Sequence, residues 1–254
     1  TGTRESDLEM NCREGRPTAD VNLRKALSYA IDRDVIAQIA GAGYAQALGK
    51  AFPDSVGYDE GKDVESQTYD VEKAKECLAA AGYADEDGNG YVEKDGEELV
   101  LNIALRSNAS TAVYQAMQDM WKEIGVHVEI QLMENTSDIR ESGEFDFLGA
   151  GWQTVNNADG QSYLKNRWSD NGPDNYTAFH SDAFQEVMER LDTAFDYEDR
   201  VQCFVDAEQI LTEECPTIFL YANENVTLVN SKIENVTVFP IDYYLVTNKW
   251  TLAE

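Results

Sequence analysis

Hydrophobic positions at helical spacing dominate the first third of the chain. Between residues 20 and 40, apolar side chains recur every three or four positions, and Asp20 stands where a helix N-cap is expected. We therefore predict one helix over 20–40 with a single buried stripe. A short strand over 8–12 precedes it, and a second helix over 71–81 follows, capped by Asp70 and ended by Gly82.

The middle of the chain alternates between strand and helix patterns. Residues 99–105 and 126–132 alternate apolar with polar positions, and a helical pattern behind Ser110 and Thr111 separates them. Strand, helix and strand with short connections form a βαβ unit, so we predict that the two strands are parallel. A further strand over 145–150 ends at Gly151 and Trp152, ahead of a polar loop.

The last third begins with helical patterns and ends with apolar runs. We predict helices over 182–194 and 197–213, followed by strands over 217–221, 226–229, 236–239 and 243–246. The expected fold class is therefore α/β, with a mixed sheet flanked by helices.

The charge balance limits the possible partners. The 254 residues include 20 Lys and Arg against 48 Asp and Glu, which gives a net charge of −28. Such a chain repels phosphate backbones and anionic lipid, so nucleic acid is not an expected partner. No apolar run approaches the ~20 residues of a membrane span, and the first residues do not resemble a signal peptide. We expect either a cytosolic protein or a trimmed piece of an exported one.

Signatures of catalysis and redox chemistry are few. The chain has two histidines and no G-x-S-x-G, P-loop or HExxH motif. Its four cysteines form no CxxC motif. Cys203 lies inside the predicted helix over 197–213 and Cys215 at its end, so the helix holds the two cysteines too far apart for a disulfide. We expect a protein that is not an enzyme and requires no cofactor.

One acidic loop matches much of a calcium-binding pattern. Residues 85–96 (DEDGNGYVEKDG) place oxygen ligands at positions 1, 3 and 5 and a glycine at position 6. Position 12 carries Gly96 where the pattern has a bidentate glutamate. A calcium site and a solvated turn between helix and strand both remain open. The candidate metal ligands are Asp85, Asp87, Asn89 and Tyr91.

The polar loop after strand 145–150 is a candidate ligand site. Loops at the carboxyl ends of strands in open α/β sheets commonly bind ligands. Trp152 is placed to expose its ring on a cleft wall, and Asn156, Asn157 and Asp159 offer hydrogen bonds to amide, ammonium or hydroxyl groups. In the alternative interpretation, Trp152 covers the edge of the core and the polar residues only form turns.

Several blocks of the sequence resemble one protein family. Residues 8–11 (LEMN) and 20–33 (DVNLRKALSYAIDR) are similar to the signature "fN…D…vRqAlsyAiDr" of the peptide- and nickel-type extracellular solute-binding proteins of ABC transporters, family 5. Similar blocks follow in the same order at 69–83, 121–126, 143–152 and 200–221. The resemblance implies a periplasmic-binding-protein-like type II lobe. It also implies an extracellular location, as a membrane-anchored lipoprotein or a periplasmic protein, and an ABC permease as partner.

The resemblance also implies a division of the chain. Members of this family have two lobes that close on a ligand. Residues 1–230 are similar to the second, carboxy-terminal lobe, and residues 231–254 to a tail that returns to the first lobe. The amino-terminal lobe of the same protein is then a further partner, and we expect an apolar patch where it packs.

Site residues are carried over position by position. In oligopeptide binders, an aspartate soon after the glycine-tryptophan pair holds the ligand's amino terminus, and Val155 stands there in this chain. Arg140 matches an arginine that contacts ligand carboxylates, and Trp152 matches a tryptophan of nickel-chelate binders. Sugar-binding members use exposed aromatic residues, for which Trp152, Tyr163 and Trp168 are the candidates.

The favoured function is the capture of a small solute, with short peptides as the first choice. Trp152 would supply an apolar contact, Arg140 a carboxylate partner, and Asn156, Asn157 or Asp159 the polar anchors. A receptor for a nickel chelate or an oligosaccharide is the alternative within this class. A calcium-dependent surface interaction module is the alternative from a different class.

Overall fold

The strands and helices of the chain are interleaved. The computed structural model describes residues 1–62, 64–107, 109–243 and 246–253. The strands are β1 Arg4–Met10, β2 Ala45–Ala47, β3 Glu93–Lys94, β4 Glu97–Glu98, β5 Val100–Arg106, β6 His127–Met133, β7 Phe147–Gln153, β8 Thr217–Asn223, β9 Ile233–Glu234 and β10 Thr251–Leu252. The helices are α1 Val21–Tyr29, α2 Arg33–Gly41, α3 Val71–Ala80, α4 Ala112–Lys122, α5 Ser137–Ser142, α6 Gln161–Trp168, α7 Asp182–Thr193 and α8 Tyr197–Glu214.

A six-stranded mixed sheet lies at the centre, in the order β2-β8-β1-β7-β5-β6. Strand β5 is parallel to β6 and β7, whereas β1 is antiparallel to β7 and β8. The predicted parallel pair is therefore confirmed, as is the α/β class with a mixed sheet. None of the described helices is long and apolar enough to cross a bilayer.

Hydrophobic cores cover both faces of the sheet. Successive side chains of a strand point to opposite faces. Ile218 and Leu220 of β8 lie in one core with helices α1 and α4, whereas Phe219 lies in the other with α6, α7 and α8. The second core also includes Phe52, from the long connection between β2 and α3. This connection and α6 surround the polar loop that follows β7, the candidate ligand site.

The single helix predicted over 20–40 is wrong, because two helices occupy this segment. Asp20 caps α1 as expected, accepting a hydrogen bond from Asn22 N at 2.8 Å. Asp32 caps α2 in the same way, accepting from Asp34 N at 3.1 Å and from Val35 N at 3.2 Å. An aspartate side chain that bonds the following amides favours a new helix start over continuation of the old helix.

The strand before the polar loop begins two residues later than predicted and ends three residues later. Strand β7 runs to Gln153, so Gly151 and Trp152 belong to the strand and not to the loop. The pairing with β1 extends this far, since Trp152 lies opposite Glu5 and Gln153 opposite Arg4. Helix α3 behind Asp70 and helices α7 and α8 are confirmed, whereas α5 and α6 were not predicted.

The carboxy-terminal segment differs most from the sequence prediction. Within the described residues, 226–229 and 236–239 form no strand, and β9 pairs with β10 instead. The predicted strand over 243–246 includes positions 244 and 245, which lie outside the described residues. The segment is fixed to the lobe by a bond from Thr3 N to Pro240 O at 3.0 Å and by an ion pair of Arg4 with Asp242 at 3.3 Å.

Candidate functional site

The loop over 154–160 connects β7 to α6 and is held firmly to the lobe. Thr154 donates from its backbone N, at 3.1 Å, and from its hydroxyl, at 2.8 Å, to the carbonyl of Thr3. Asn156 and Asp159 exchange two backbone hydrogen bonds, of 2.9 and 3.0 Å. Between them, the backbones of Asn157 and Ala158 are left-handed, with φ of 52° and 61°. The loop is therefore a tight turn that presents fixed side chains.

A cavity of about 520 Å³ opens beside this turn. Its wall combines the loop, the β2–α3 connection and the carboxy-terminal segment, and Tyr58 Oη donates to Ala158 O at 3.0 Å to join two of them. The described residues that line the cavity carry no charge, so it suits an apolar, uncharged group. They are Thr3, Ser55, Val56, Tyr58, Val155, Ala158, Tyr197, Phe239, Pro240, Ile241 and Thr247.

Behind the cavity wall, Glu208 of α8 holds the β2–α3 connection. Its Oε1 accepts from Phe52 N at 2.8 Å, and its Oε2 is buried without a hydrogen-bond partner. Burial raises the pKa of Glu208 to about 8. Tyr58 stacks on Phe204 of the same helix, with ring centroids 4.6 Å apart. The connection is thus fixed by one buried carboxyl group and by aromatic packing.

Trp152 is half-buried near the end of β7, next to a cluster of charges. The Arg167 guanidinium lies 5.2 Å from the centre of its ring. The Trp152 indole N–H is buried without a hydrogen-bond partner. Trp152 does not line the cavity, but it precedes by three residues Val155, which does.

The polar residues of the loop differ in their availability. Asp159 accepts two bonds from Arg200, from Nη2 at 2.6 Å and from Nε at 3.1 Å, and a third from Gln161 N at 2.8 Å. Its carboxylate is therefore occupied by the protein. Asn156 and Asn157 are exposed, and Asn156 donates to Ser162 Oγ at 3.2 Å. The two asparagines are the loop side chains with hydrogen-bonding groups open to a ligand.

Arg140 lies apart from the cavity. It sits in the last turn of α5, with its guanidinium 4.9 Å from the centre of the Tyr176 ring. The neighbouring Ile139 packs against the small core cluster of Ala104, Phe145 and Leu148, and Leu148 lies near the start of β7. Leu148 and Trp152 are four positions apart in this strand, which is ~13 Å at the usual rise of a strand. The structure does not bring Arg140 and the loop together around one small ligand.

Two aromatic candidates for a sugar platform are wrong. Tyr163 and Trp168 are 3% and 0% exposed, because α6 packs them against the sheet. Among the described residues, the aromatic side chains that line the cavity are those of Tyr58, Tyr197 and Phe239. Sequence reasoning missed these three, since they come from distant segments and share no local pattern.

The acidic loop over 85–96 gathers three carboxylates. Oxygens of Asp85, Asp87 and Glu93 lie within 4.8 Å of one another. Asp85 also accepts from Gly88 N at 2.8 Å and from Gly90 N at 3.1 Å, and Asn89 Oδ1 accepts from Tyr91 N at 2.8 Å. These bonds suffice to form the turn. Calcium binding stays a prediction, and titration of the demetallated protein tests it: no heat at millimolar calcium would contradict it.

A mixed α/β lobe with an uncharged cavity beside a tight loop has the form of a small-molecule binding unit. The family model of the bacterial extracellular solute-binding proteins, family 5 (middle), matches residues 1–175. The chain belongs to this family.

Individual relatives agree with this assignment. The chain is 26% identical over 258 residues to the oligopeptide-binding protein AppA of Bacillus subtilis, covering 92% of this chain and 44% of AppA. It is 23% identical over 255 residues to the nickel-binding protein NikA of Staphylococcus aureus, covering 99% of this chain and 49% of NikA. The chain thus spans about half the length of the curated relatives it matches.

The fold also matches a solved structure. AppA from Bacillus subtilis in complex with a nonapeptide superposes with a TM-score of 0.78 at 22% sequence identity. The match covers 100% of this chain and 51% of AppA. The periplasmic-binding-protein-like type II lobe expected from the sequence is confirmed.

Proposed function

We propose that this chain is the ligand-binding second lobe of the substrate-binding component of an ABC importer. The component captures a small solute, in the first place short peptides, outside the membrane and delivers it to the permease. It acts by binding and not by catalysis, either as a membrane-anchored lipoprotein or in the periplasm. The observation that carries this proposal is the uncharged cavity beside the 154–160 loop, in a chain of family 5.

The division of the chain belongs to the same proposal. Residues 1–230 form the lobe, and residues 231–254 form a tail that completes the first lobe. The position of the tail supports this division, because β9 and β10 pair only with each other and stand outside the central sheet. Apolar side chains on either side of residue 231 are open to solvent, with Leu228 97% and Leu252 78% exposed. The first, amino-terminal lobe of the proposed protein would cover them.

The cavity favours a peptide over a nickel chelate. A peptide can place an apolar side chain in the cavity while its backbone hydrogen-bonds to Asn156 and Asn157. Neither histidine lines the cavity: His127 Nδ1 lies 2.8 Å from Glu98, and His180 Nδ1 lies 2.9 Å from Asp170. The protein therefore brings no imidazole to the cavity for a metal.

The residues carried over from the family resemblance have different roles in this proposal. Trp152 supplies an apolar contact at the mouth of the site. Arg140 lies outside the cavity lining and takes the role of a carboxylate partner only for a peptide that extends beyond the cavity. Asp159 acts through its ion pair with Arg200, which fixes the turn, and not as an anchor for the ligand.

Calorimetric titration of the full-length protein tests the proposal. The probes are alanine peptides that carry one phenylalanine, lysine or glutamate, and a nickel–histidine chelate. We expect the phenylalanine peptide to bind most tightly, since the cavity has no charge to pair with lysine or glutamate. Binding of the chelate without binding of any peptide would contradict the peptide proposal.

A matched pair of variants localises the site. Tyr197 lines the cavity and is 69% exposed, whereas Phe195 is 92% exposed and lies outside the lining. We expect Tyr197→Ala to weaken binding of the phenylalanine peptide about tenfold, equivalent to ~1.4 kcal/mol. Phe195→Ala should leave the affinity unchanged. Equal effects of the two variants would place the ligand elsewhere.

A further inference from the structure

Strand β1 carries three acidic residues on one face, and that face is buried. Glu5, Asp7 and Glu9 alternate along the strand, so their side chains point the same way. Helix α6 covers them and supplies Arg167, and all four side chains are at most 1% exposed. We call these four residues the carboxylate–arginine cluster.

The single guanidinium is shared among the three carboxylates. Arg167 donates from Nη1 to Glu5 Oε1 at 2.6 Å, from Nη2 to Asp7 Oδ2, and from Nε to Glu9 Oε1 at 3.1 Å. The second oxygen of each carboxylate is buried without a hydrogen-bond partner. Three acceptors are thus left unpaired in one closed site, although buried polar atoms are nearly always paired.

The charges in the cluster do not balance. With every group ionised, three negative charges and one positive charge leave a net charge of −2 in the interior. A low-dielectric site strongly disfavours an uncompensated charge, and protonation of a carboxylate is the usual response. A proton also turns an unpaired acceptor oxygen into a donor. At least one of the three carboxyl groups is therefore expected to be neutral in the folded protein.

The surroundings of the three carboxyl groups differ. Asp7 accepts a second bond, from Thr217 Oγ1 at 2.5 Å, which stabilises its charged form. Burial, and next the charge of Asp7, raise the pKa of Glu5 well above its usual range, although Arg167 opposes the rise. Burial also raises the pKa of Glu9, where Arg167 again opposes the rise and Arg140 opposes it too. The second cation beside Glu9 leaves Glu5 as the carboxyl group to which we assign the proton.

Among the described residues, three other titratable groups act on the cluster, and only one of them, Arg140, is charged. Tyr163 of α6 lies on the same side of the sheet as the carboxylates, and Tyr114 of α4 packs on the opposite side with Leu8 and Met10. Burial raises the pKa of both phenols, so they stay neutral. Arg140 of α5 contributes its positive charge mainly to Glu9.

The cluster lies directly beneath Trp152. Glu5 is the cross-strand neighbour of Trp152 in the β1–β7 pairing, and opposed residues of an antiparallel pair share a face. Arg167, which binds Glu5, is also the cation against the Trp152 ring. A change in the charge of Glu5 therefore acts on the ion that supports the ring.

We propose that Glu5 binds a proton in the native protein at neutral pH and that the protonated cluster positions Trp152. Glu5 and Arg167 are then positioning residues. The use of Trp152 to contact ligand rests on the proposed function, whereas the proton on Glu5 does not.

Infrared spectroscopy tests the proton. All measurements use the full-length protein with Glu208→Gln, which removes a second buried carboxyl group of raised pKa. In this background we expect a carbonyl band of a protonated carboxyl group at pH 7. Glu5→Gln should abolish the band, and Glu97→Gln, at an exposed position, should retain it. Two outcomes would overturn the assignment. One is that the Glu208→Gln protein shows no such band at pH 7. The other is that Glu9→Gln abolishes the band whereas Glu5→Gln retains it.

Unfolding and fluorescence test the role of the proton. Glutamine mimics a protonated glutamate, so Glu5→Gln should keep the denaturant midpoint at pH 5, whereas Asp7→Asn should lower it at every pH. Trp152 emission, obtained by subtracting the spectrum of Trp152→Phe, should shift as the pH rises above neutral and become invariant in Glu5→Gln. A shift that persists in Glu5→Gln, or equal midpoints of Glu5→Gln and Asp7→Asn, would refute the proposal. Neither measurement uses ligand, so a failed peptide titration would count against the proposed function alone.

Discussion

At the scale of single residues, the buried carboxyl group of Glu208 links the stability of the lobe to pH. Its pKa of about 8 lies above the value of ~4.3 for an unfolded chain, so the native state binds a proton that the unfolded state has lost. The free energy of unfolding therefore falls as the pH rises between these two values. The contribution is lost once the pH passes the folded-state pKa.

We predict that Glu208→Gln flattens this dependence. Between pH 5 and 8 the wild-type slope from this residue is about −1.4 kcal/mol per pH unit, and the glutamine should remove it while keeping the acceptor for Phe52 N. Urea unfolding at several pH values measures the slope. The control is Glu189→Gln, at an exposed position of α7, which should retain it. A slope unchanged by Glu208→Gln would contradict the prediction.

At the scale of elements, the break between α1 and α2 shows how one side chain overrides a periodic pattern. The apolar spacing continues from α1 into α2, yet Val35 and Ile39 are 42% and 39% exposed. The bonds from Asp34 N and Val35 N to Asp32 favour a new start. The hydrogen bonds of such a cap compete with continuation of the preceding helix, and a count of apolar positions does not detect them.

We predict that Asp32→Ala destabilises the lobe by ~1 kcal/mol, the usual cost of removing an N-cap. The side chain of Asp34, two residues later, accepts neither of these bonds. We therefore expect Asp34→Ala to lower the free energy of unfolding by less than Asp32→Ala does. Denaturant unfolding of the two variants side by side gives the difference. Equal losses would indicate that the charge near the helix start matters and the cap does not.

At the scale of the whole molecule, the cavity is lined by both parts of the proposed division, with seven described residues from 1–230 and four from 231–254. The exposed apolar residues near the carboxyl end, among them Val246 at 73%, are unsuited to solvent and, under the proposed function, suited to contact with the first lobe. Affinity for a small ligand depends on enclosing it and removing water from its surroundings.

We therefore predict that residues 1–254 alone bind the phenylalanine peptide at least tenfold more weakly than the full-length protein, a difference of ~1.4 kcal/mol or more. Calorimetry on both forms measures it. Circular dichroism of the shorter form serves as the control for folding. Equal affinities would show that this lobe holds the complete site.

Features with a local cause could be predicted from the sequence. The caps at Asp20 and Asp70, helices α7 and α8, and the parallel β5–β6 pair follow from spacing and chain connectivity. The 154–160 loop was also placed after the correct strand. The lining of the cavity could not be predicted, because Tyr58, Tyr197 and Phe239 meet only after distant segments pack together.

In strand β1, the sequence determines which side chains share a face, and the tertiary structure determines which face is buried. The sequence predicts a strand only over 8–12, whereas β1 runs over Arg4–Met10, with Leu8 and Met10 on one face and Glu5, Asp7 and Glu9 on the other. By composition, the acidic face belongs in solvent. Only the packing of α6, which brings Arg167 to Asp7 from 160 positions away in the chain, places that face in the interior. Periodicity is set by neighbours in the chain, whereas the burial of a charge depends on which distant partner compensates it.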